Sequence, residues 1–468
     1  MEKILLFAKP PILALLLFLF TVTSFAQYQP QLQEQFPRPC QGYLGGGLGL
    51  NWIDGQLYYT LRFMPEISLG NFGAGLDLRL DFDKNGNLRK EDFNEFSDYL
   101  SIIRYVRYGL KNDPVYVKLG ALDYYTLGHG SIMYQYNNSP SLDVRKIGLV
   151  FDVDFGNFGF ESIYSQFAEA GVVGLRGYVK PLKFSEAGSI PIIGDLEVGA
   201  TYAADYNKYA GVVSGYYNPA TSKIEISSDD DKGSMNIVGL DLGFPIVSTA
   251  LAKLVLYFDY SKIINFGSGI ATGVQFTSSG MGLVSVSAKL ERRFNNDHYL
   301  PSYFNSLYEI QRFSVDTLSS TFAPIQSKAK TLASIFDPGN GYYGELGINV
   351  VGAFDILGSY QRLDKYPESG ILHISTDISP QDFSFIARAG YDKINIKDEK
   401  DLFTLDDRSY LYAELGYKPY PFMIVSMVYI WTFSPVRDKD DNIIDYKPQK
   451  RIEPRISFVF PFDLGCGY

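Results

Sequence analysis

The sequence predicts an all-β chain: a transmembrane antiparallel β-barrel of about twenty strands, an even number of roughly 16–20, with long extracellular loops and short periplasmic turns. Three observations carry this. Residues 72–82 alternate strictly, with Phe72, Ala74, Leu76, Leu78, Leu80 and Phe82 on one face of an extended strand and Gly73, Gly75, Asp77, Arg79 and Asp81 on the other. Their length matches the about 9–11 residues with which a tilted strand crosses a bilayer. After the N-terminal segment, no stretch reaches the ~18 uninterrupted apolar residues of a membrane helix. Long and short connections also alternate along the chain, as they do when strands run up and down through a membrane.

The N-terminus precedes that pattern. Lys3 and Lys9, the apolar run Ile12 to Phe20 and then Ser24-Phe25-Ala26 read as a secretory signal peptide over 1–26, cleaved after Ala26. Residues 27–42, rich in Gln and Pro, read as a periplasmic tail. Composition agrees with a barrel: 36 Tyr and 34 Phe stand against two Trp, and the mean hydropathy of -0.05 suits strands with one lipid face and one wet face. A formal charge of -10 argues against nucleic acid as a partner.

Strands are expected at 43–53 and 56–69, joined by the hairpin turn Asp54-Gly55, then at 72–82 after Gly70-Asn71. Next come 98–109 and 114–122 around Lys111-Asn112-Asp113, and 144–155 and 158–167 around Gly156-Asn157. Further strands fall at 172–180, 194–206, 235–245, 251–262, 268–276 and 281–291. The last seven are 341–350, 354–362, 370–377, 383–391, 409–418, 423–432 and 452–462. The barrel thus spans 43–462, with 463–468 a C-terminal tail. With the first strand rising from the periplasm, the long connections 83–97, 122–143, 207–234, 292–340, 392–408 and 433–451 all fall outside, and 181–193 is the exception, a longish link on the periplasmic side. No period of 20–50 residues repeats, which disfavours propellers and solenoids.

The final strand places Ile456, Phe458, Phe460 and Phe462 on one side. An aromatic-ended terminal strand resembles the insertion signal of Gram-negative outer-membrane proteins, although Asp463 to Tyr468 extend beyond it. In architecture the mature chain resembles porin-like outer-membrane barrels, with no residue motif of a specific transporter family. The resemblance implies residence in the cell outer membrane, outer-membrane lipids and the barrel-insertion machinery as partners, and no enzymatic activity.

Alternation puts Asp77, Arg79, Asp81, Lys146, Asp152, Asp154, Lys253, Asp259, Lys289 and Glu291 on the lumen face. Such a wet, mixed-charge interior suits passive passage of small hydrophilic solutes, and equally a barrel closed by ion pairs. The long loop 292–340, briefly helical near 325–335, is expected either to fold inward as a constriction or plug, or outward over the mouth.

Three local patterns open alternatives. Asp81, Asp83, Asn85, Asn87 and Asp92, with Gly86 at the sharp turn, are similar to the EF-hand calcium loop, with Asp92 where that loop has Glu. Calcium is accordingly the one cofactor to consider, none being required, and a plugged surface barrel acting as adhesin or scaffold is the alternative function. The polar-turn reading of the same residues stands beside it. His129 and Ser131 share the spacing of the outer-membrane phospholipase, with Asn137 and Asn138 downstream, which makes a barrel lipase a minor alternative. Cys40 and Cys466 flank the first and last strands, neighbours in a closed barrel, so the two thiols are placed to pair or to remain free. The solute and the oligomeric state are not encoded in any motif.

Overall fold

The structure is a computed structural model. It describes residues 40–465 apart from 91–92, 94–98, 100–101, 112, 222, 227–232, 250, 279–283, 316–321, 351–352, 381–382 and 439–442. The expected signal peptide and almost all of the N-terminal tail lie outside these residues.

Each strand pairs antiparallel with the next, and the last returns to the first. β1 is Gln41–Ile53, β2 Gln56–Leu69, and β3 comes in two pieces, Phe72–Leu76 and Leu78–Phe82. Then follow β4 Ile103–Tyr108, β5 Val115–Gly120, β6 Gly148–Asp154, β7 Phe158–Tyr164, β8 Val172–Val179 and β9 Glu197–Asp205. β10 is Met235–Ser248, β11 Ala252–Ile263, β12 Ser268–Ser278 and β13 Val284–Asn295. β14 Asn340–Val350, β15 Phe354–Leu363, β16 Gly370–Ile378, β17 Phe385–Ile396, β18 Ser409–Tyr420, β19 Met423–Arg437 and β20 Ile443–Asp463 complete the ring. β20 closes it on β1 in a register that sets Leu44 opposite Phe460 and Leu48 opposite Ile456. Closure joins the first and last strands, and among the described residues the second piece of β3, Leu78–Phe82, is laddered to β2 alone.

The distribution of polarity identifies the solvent. Leu48, Leu240, Leu290 and Leu415 point outward at 59%, 60%, 62% and 69% exposure. Asp81, Glu291, Arg293, Lys393 and Arg451 point inward at 5% or less. Apolar outside and charged inside is the reverse of a soluble domain and is the arrangement of a lipid-facing barrel. No helix among the described residues is long and apolar enough to cross a membrane.

Two strand details shape the interior. β4 carries an extra residue: Tyr105 faces Gly75 and Ile103 faces Leu76, with Arg104 as the bulged residue between them. This bulge lets Arg104 join Tyr105 and Arg107 at the lumen, where Arg104 reaches Glu66 at 2.8 Å. β20 starts at Ile443, nine residues before the expected 452, and β19 runs on to Arg437. The expected long loop 433–451 is therefore mostly a tall hairpin standing above the rim.

The long outer connections fold into the barrel. Loop 121–147 and loop 296–339 meet across the lumen, where Ser302 donates its backbone N–H to Ser131 (2.8 Å) and Phe304 bridges Met133. Leu122, Leu127 and Met133 of the first loop pack with Tyr303, Phe304 and Tyr308 of the second against wall residues such as Val150 and Ile237. Loop 296–339 includes a short helix, α1 Tyr308–Gln311, and a second, α2 Lys328–Ser334, capped by the Ser327 hydroxyl on the Lys330 N–H (2.9 Å). Of the two directions open from sequence, the structure takes the inward one.

Candidate functional site

With that half of the lumen packed by loops, the open space lies along the seam β17–β20, β1–β3. A central cavity of about 110 Å³ is lined by Arg62, Asp77, Arg79, Arg145, Glu453 and Arg455, among others. A narrower cavity of about 50 Å³ continues toward the short-turn end. It shares Arg62, Arg79, Glu453 and Arg455 with the first and runs along Gly45, Gly47 and Gly49 of β1. An added Cβ at Gly47 would lie 2.5 Å from the Ile456 carbonyl oxygen, so the furrow depends on glycine there. On the loop side a third cavity, about 480 Å³, opens at the mouth and shares Arg145 with the central one.

The walls of the central cavity are ion-paired. Arg62 makes a two-pronged bond to Asp77 (2.8 and 2.8 Å), and Arg145 joins the same carboxylate at 2.8 Å. Arg79 bridges Asp81 (2.9 Å) and Glu453 (2.7 Å). Arg455 holds Glu414 at 3.0 Å. Among the described residues, Arg62, Arg79, Arg104, Arg145 and Arg455 line this cavity with Asp77, Asp123, Asp143 and Glu453.

The remaining residues expected at the lumen are distributed as follows. Asp81 is buried on Thr60, Arg79 and Asn51. Asp152 accepts from the Tyr125 hydroxyl at 3.0 Å, and Lys289 contacts Glu291 at 2.8 Å. Glu291 also holds Arg293 at 2.6 Å. Asp154 belongs to the rim, where it accepts the Gly156 N–H at 2.7 Å. Lys253 is exposed at the end of β11 beside the 249–251 connection, so its place is the rim and not the lumen. Lys146 leaves the wall altogether: strand β6 begins only at Gly148, and Lys146 pairs with Glu309 of α1.

That pair belongs to the anchor of loop 296–339. Arg312 contacts Asp205 of the wall at 2.5 Å and Glu309 at 2.7 Å, while Tyr136 and Tyr308 donate to Glu309 and Asp205. Burial pushes the Glu309 carboxyl up, but Arg312 and Lys146 outweigh it and hold it down at about 2. Asp143 of loop 121–147 is held near 2 against its burial in the same way, by Arg451 and Arg89.

The three local patterns resolve differently. His129 and Ser131 do not contact each other; both bind Asp259 of β11, His129 Nδ1 at 2.9 Å. Asn138 spends its amide on the Leu122 N–H and the Ser165 carbonyl, and Asn137 caps Ser139. With the Ser131 hydroxyl given to Asp259 and not to His129, the Ser–His contact of that enzyme is not formed, and the lipase alternative is not favoured. His129, Asp241 and Asp259 come within 4.8 Å of one another. Arg176 engages both Asp241 oxygens, at 3.0 and 2.7 Å, and also Glu197 at 2.8 Å.

The residues of the expected calcium set have the following partners. Asp81 is committed to the wall, Asp83 accepts from the Asn85 and Asn87 N–H groups at 2.8 Å each, and the Asn87 carbonyl accepts from the Asp83 N–H. Asp92 lies outside the described residues. Cys40 is disulfide-bonded. Cys466 also lies outside the described residues, while Gln41 pairs with Asp463 beside it.

Sequence reasoning missed Arg62, Arg145, Glu453 and Arg455. Arg62 alternates in β2 with Thr60 and Met64, opposite Leu61 and Phe63, so the signal was present there. Arg145 carried none, because nothing local tells a loop arginine that it will meet Asp77.

No family model matches the sequence, and no curated protein matches it. Among solved structures, the chain is similar to Pseudomonas aeruginosa OccK5 (OpdH) at 11% identity, covering 90% of this chain and 98% of that one, with a TM-score of 0.33. Similarity to Pseudomonas aeruginosa OccK11 (OpdR) is 10% over 93% and 99% of the two chains, with a TM-score of 0.31. The ferric enterobactin receptor PfeA is similar at 10% over 91% and 82%, with a TM-score of 0.33. At these values the likenesses transfer no residue role.

Proposed function

We propose that this protein is a non-enzymatic outer-membrane channel for passive passage of small hydrophilic solutes, with passage confined to the arginine-lined side of an otherwise packed barrel. The observation that carries the reading is the chain of cavities sharing Arg145 at one junction and Arg62, Arg79, Glu453 and Arg455 at the next. A charged wall of this kind replaces part of a solute's hydration during transit. The direct test is ion conductance of the refolded mature chain in a planar bilayer. Discrete steps that narrow when Gly47 is replaced by Phe support the reading.

A second reading is a plugged surface barrel, favoured by the aromatic packing of both loops across the lumen. Absence of current from a protein that migrates as a folded, heat-modifiable barrel would select it.

A further inference from the structure

One connection on the short-turn rim is longer than its strands require. β8 and β9 are antiparallel neighbours, with Val179 opposite Val198, and a hairpin of about two residues can join such a pair. Residues 180–196 instead form a link of short 3-10 helices at Pro181–Phe184, Glu186–Ser189 and Ile193–Asp195. The link lies on the same rim as Gly156-Asn157, since the Lys180 N–H donates to the Asn157 carbonyl at 2.7 Å.

This link is turned inside out. Its polar side chains are spent within it: Lys183 binds Asp195 at 2.8 Å, and the Ser185 and Ser189 hydroxyls donate to the Leu182 and Glu186 carbonyls at 3.0 and 2.7 Å. Its large apolar side chains lie outside, Phe184 at 64% exposure together with Ile190, Ile192 and Ile193. Ile192 is also strained. It holds φ 71° and ψ −59°, on the positive-φ side that glycine enters freely and a β-branched residue does not. A strained isoleucine left exposed by its own chain, in an apolar patch, points to a surface outside that chain.

The neighbouring wall indicates which surface. Val179, Val198 and Leu242 stand side by side across β8, β9 and β10 on the lipid face, and Ile193–Asp195 rests against β10. On the other flank Phe155 and Phe158, both exposed, hold their rings 5.2 Å apart, with Phe158 opposite Val179. Glu186 is exposed as well, so the link is amphipathic, which suits the headgroup boundary rather than the hydrocarbon.

We infer that link 180–196 is a foot seated in the membrane interface, with Phe184, Ile190, Ile192 and Ile193 entering the acyl boundary of the leaflet on the short-turn side. These side chains gain by leaving water, which offsets the strain at Ile192. The foot needs the barrel in its membrane but no open channel.

The test is nitroxide labelling of Phe184→Cys and Ile192→Cys, one at a time, in the full mature barrel. The barrel is held in nanodiscs of phosphatidylethanolamine and phosphatidylglycerol with no partner protein present. Cys40 is disulfide-bonded and takes no label. Power-saturation EPR then compares collisions with oxygen, which concentrates in the bilayer, and with a nickel chelate, which stays in water. The oxygen-to-nickel ratio at 184 and 192 should be several-fold above that of Asn157→Cys, at the exposed turn of the same rim, and below that of Leu240→Cys on the wall. A ratio equal to that of position 157 overturns the foot and leaves the patch for a protein partner. The parent barrel gives a second reading without substitution. A phospholipid carrying an acyl-chain diazirine should crosslink within 181–195, and crosslinks confined to the wall strands overturn the inference.

Discussion

At the scale of single residues, the interior is governed by which buried charges have partners. Glu309 joins the cations Lys146 and Arg312 and also accepts from Tyr136. Glu309→Gln would leave two buried cations with Asp205 alone, and removing one member of such a set costs about 3–5 kcal/mol. The expected outcome is faster proteolysis within 296–339 with unchanged heat-modifiable migration of the barrel. Equal proteolysis would show that the aromatic packing alone holds the loop. The same carboxyl sets a pH dependence. Its value is lowered from an ordinary 4.5 to about 2, so its contribution is fully present above 4.5 and lost as pH falls toward 2. Amide hydrogen exchange in 300–315 should therefore rise between pH 4.5 and 2 and stay flat from 7 to 5. Arg62 and Arg104 show what alternation can deliver here. Arg62 keeps the period of its strand and was legible; Arg104 breaks the period through a bulge that only the register with β3 reveals.

At the scale of elements, strands and inward loops obey different rules. A strand facing lipid on one side and charge on the other writes its own period, and all twenty were found in the sequence to within a few residues except at the starts of β4, β6 and β20 and the ends of β17 and β19. β6 begins late because residues 144–147 leave the ladder, and β20 begins early because its upper half pairs with β19 and buries Ile444 and Tyr446 against the inward loops. Loop 296–339 is the contrary case. Its helix α2 was legible from a Ser cap and a helix-forming run, but its direction depends on Asp205 and Asp392, the latter bound by Ser306 at 2.8 Å. Replacing 300–334 by a short Gly-Ser linker should open the packed half and raise single-channel conductance several-fold; an unchanged step size would place the constriction elsewhere. The 81–92 loop has an opposite expectation. With Asp83 already satisfied by its own amides, millimolar calcium should leave the melting temperature unchanged, in the parent and in Asp83→Ala alike, and a calcium-dependent rise would restore the ion-binding reading.

At the scale of the whole molecule, closure and sidedness follow from one ring. Twenty strands with β1 next to β20 put both ends of the barrel wall on one rim, the rim that carries Gly70-Asn71 and Gly156-Asn157. The other rim carries 83–90, the mouth cavity and the tall β19–β20 hairpin. Short turns face the periplasm in bacterial barrels, so the mouth cavity should face outward. The orientation is measurable with single cysteines, since native Cys40 is disulfide-bonded and does not compete for label. Asn85→Cys and Asn157→Cys are both at exposed turn positions on opposite rims. A membrane-impermeant maleimide applied to intact cells should label position 85 and spare 157, and both should react once the envelope is broken. Labelling of 157 alone would invert the barrel and turn the mouth cavity toward the periplasm.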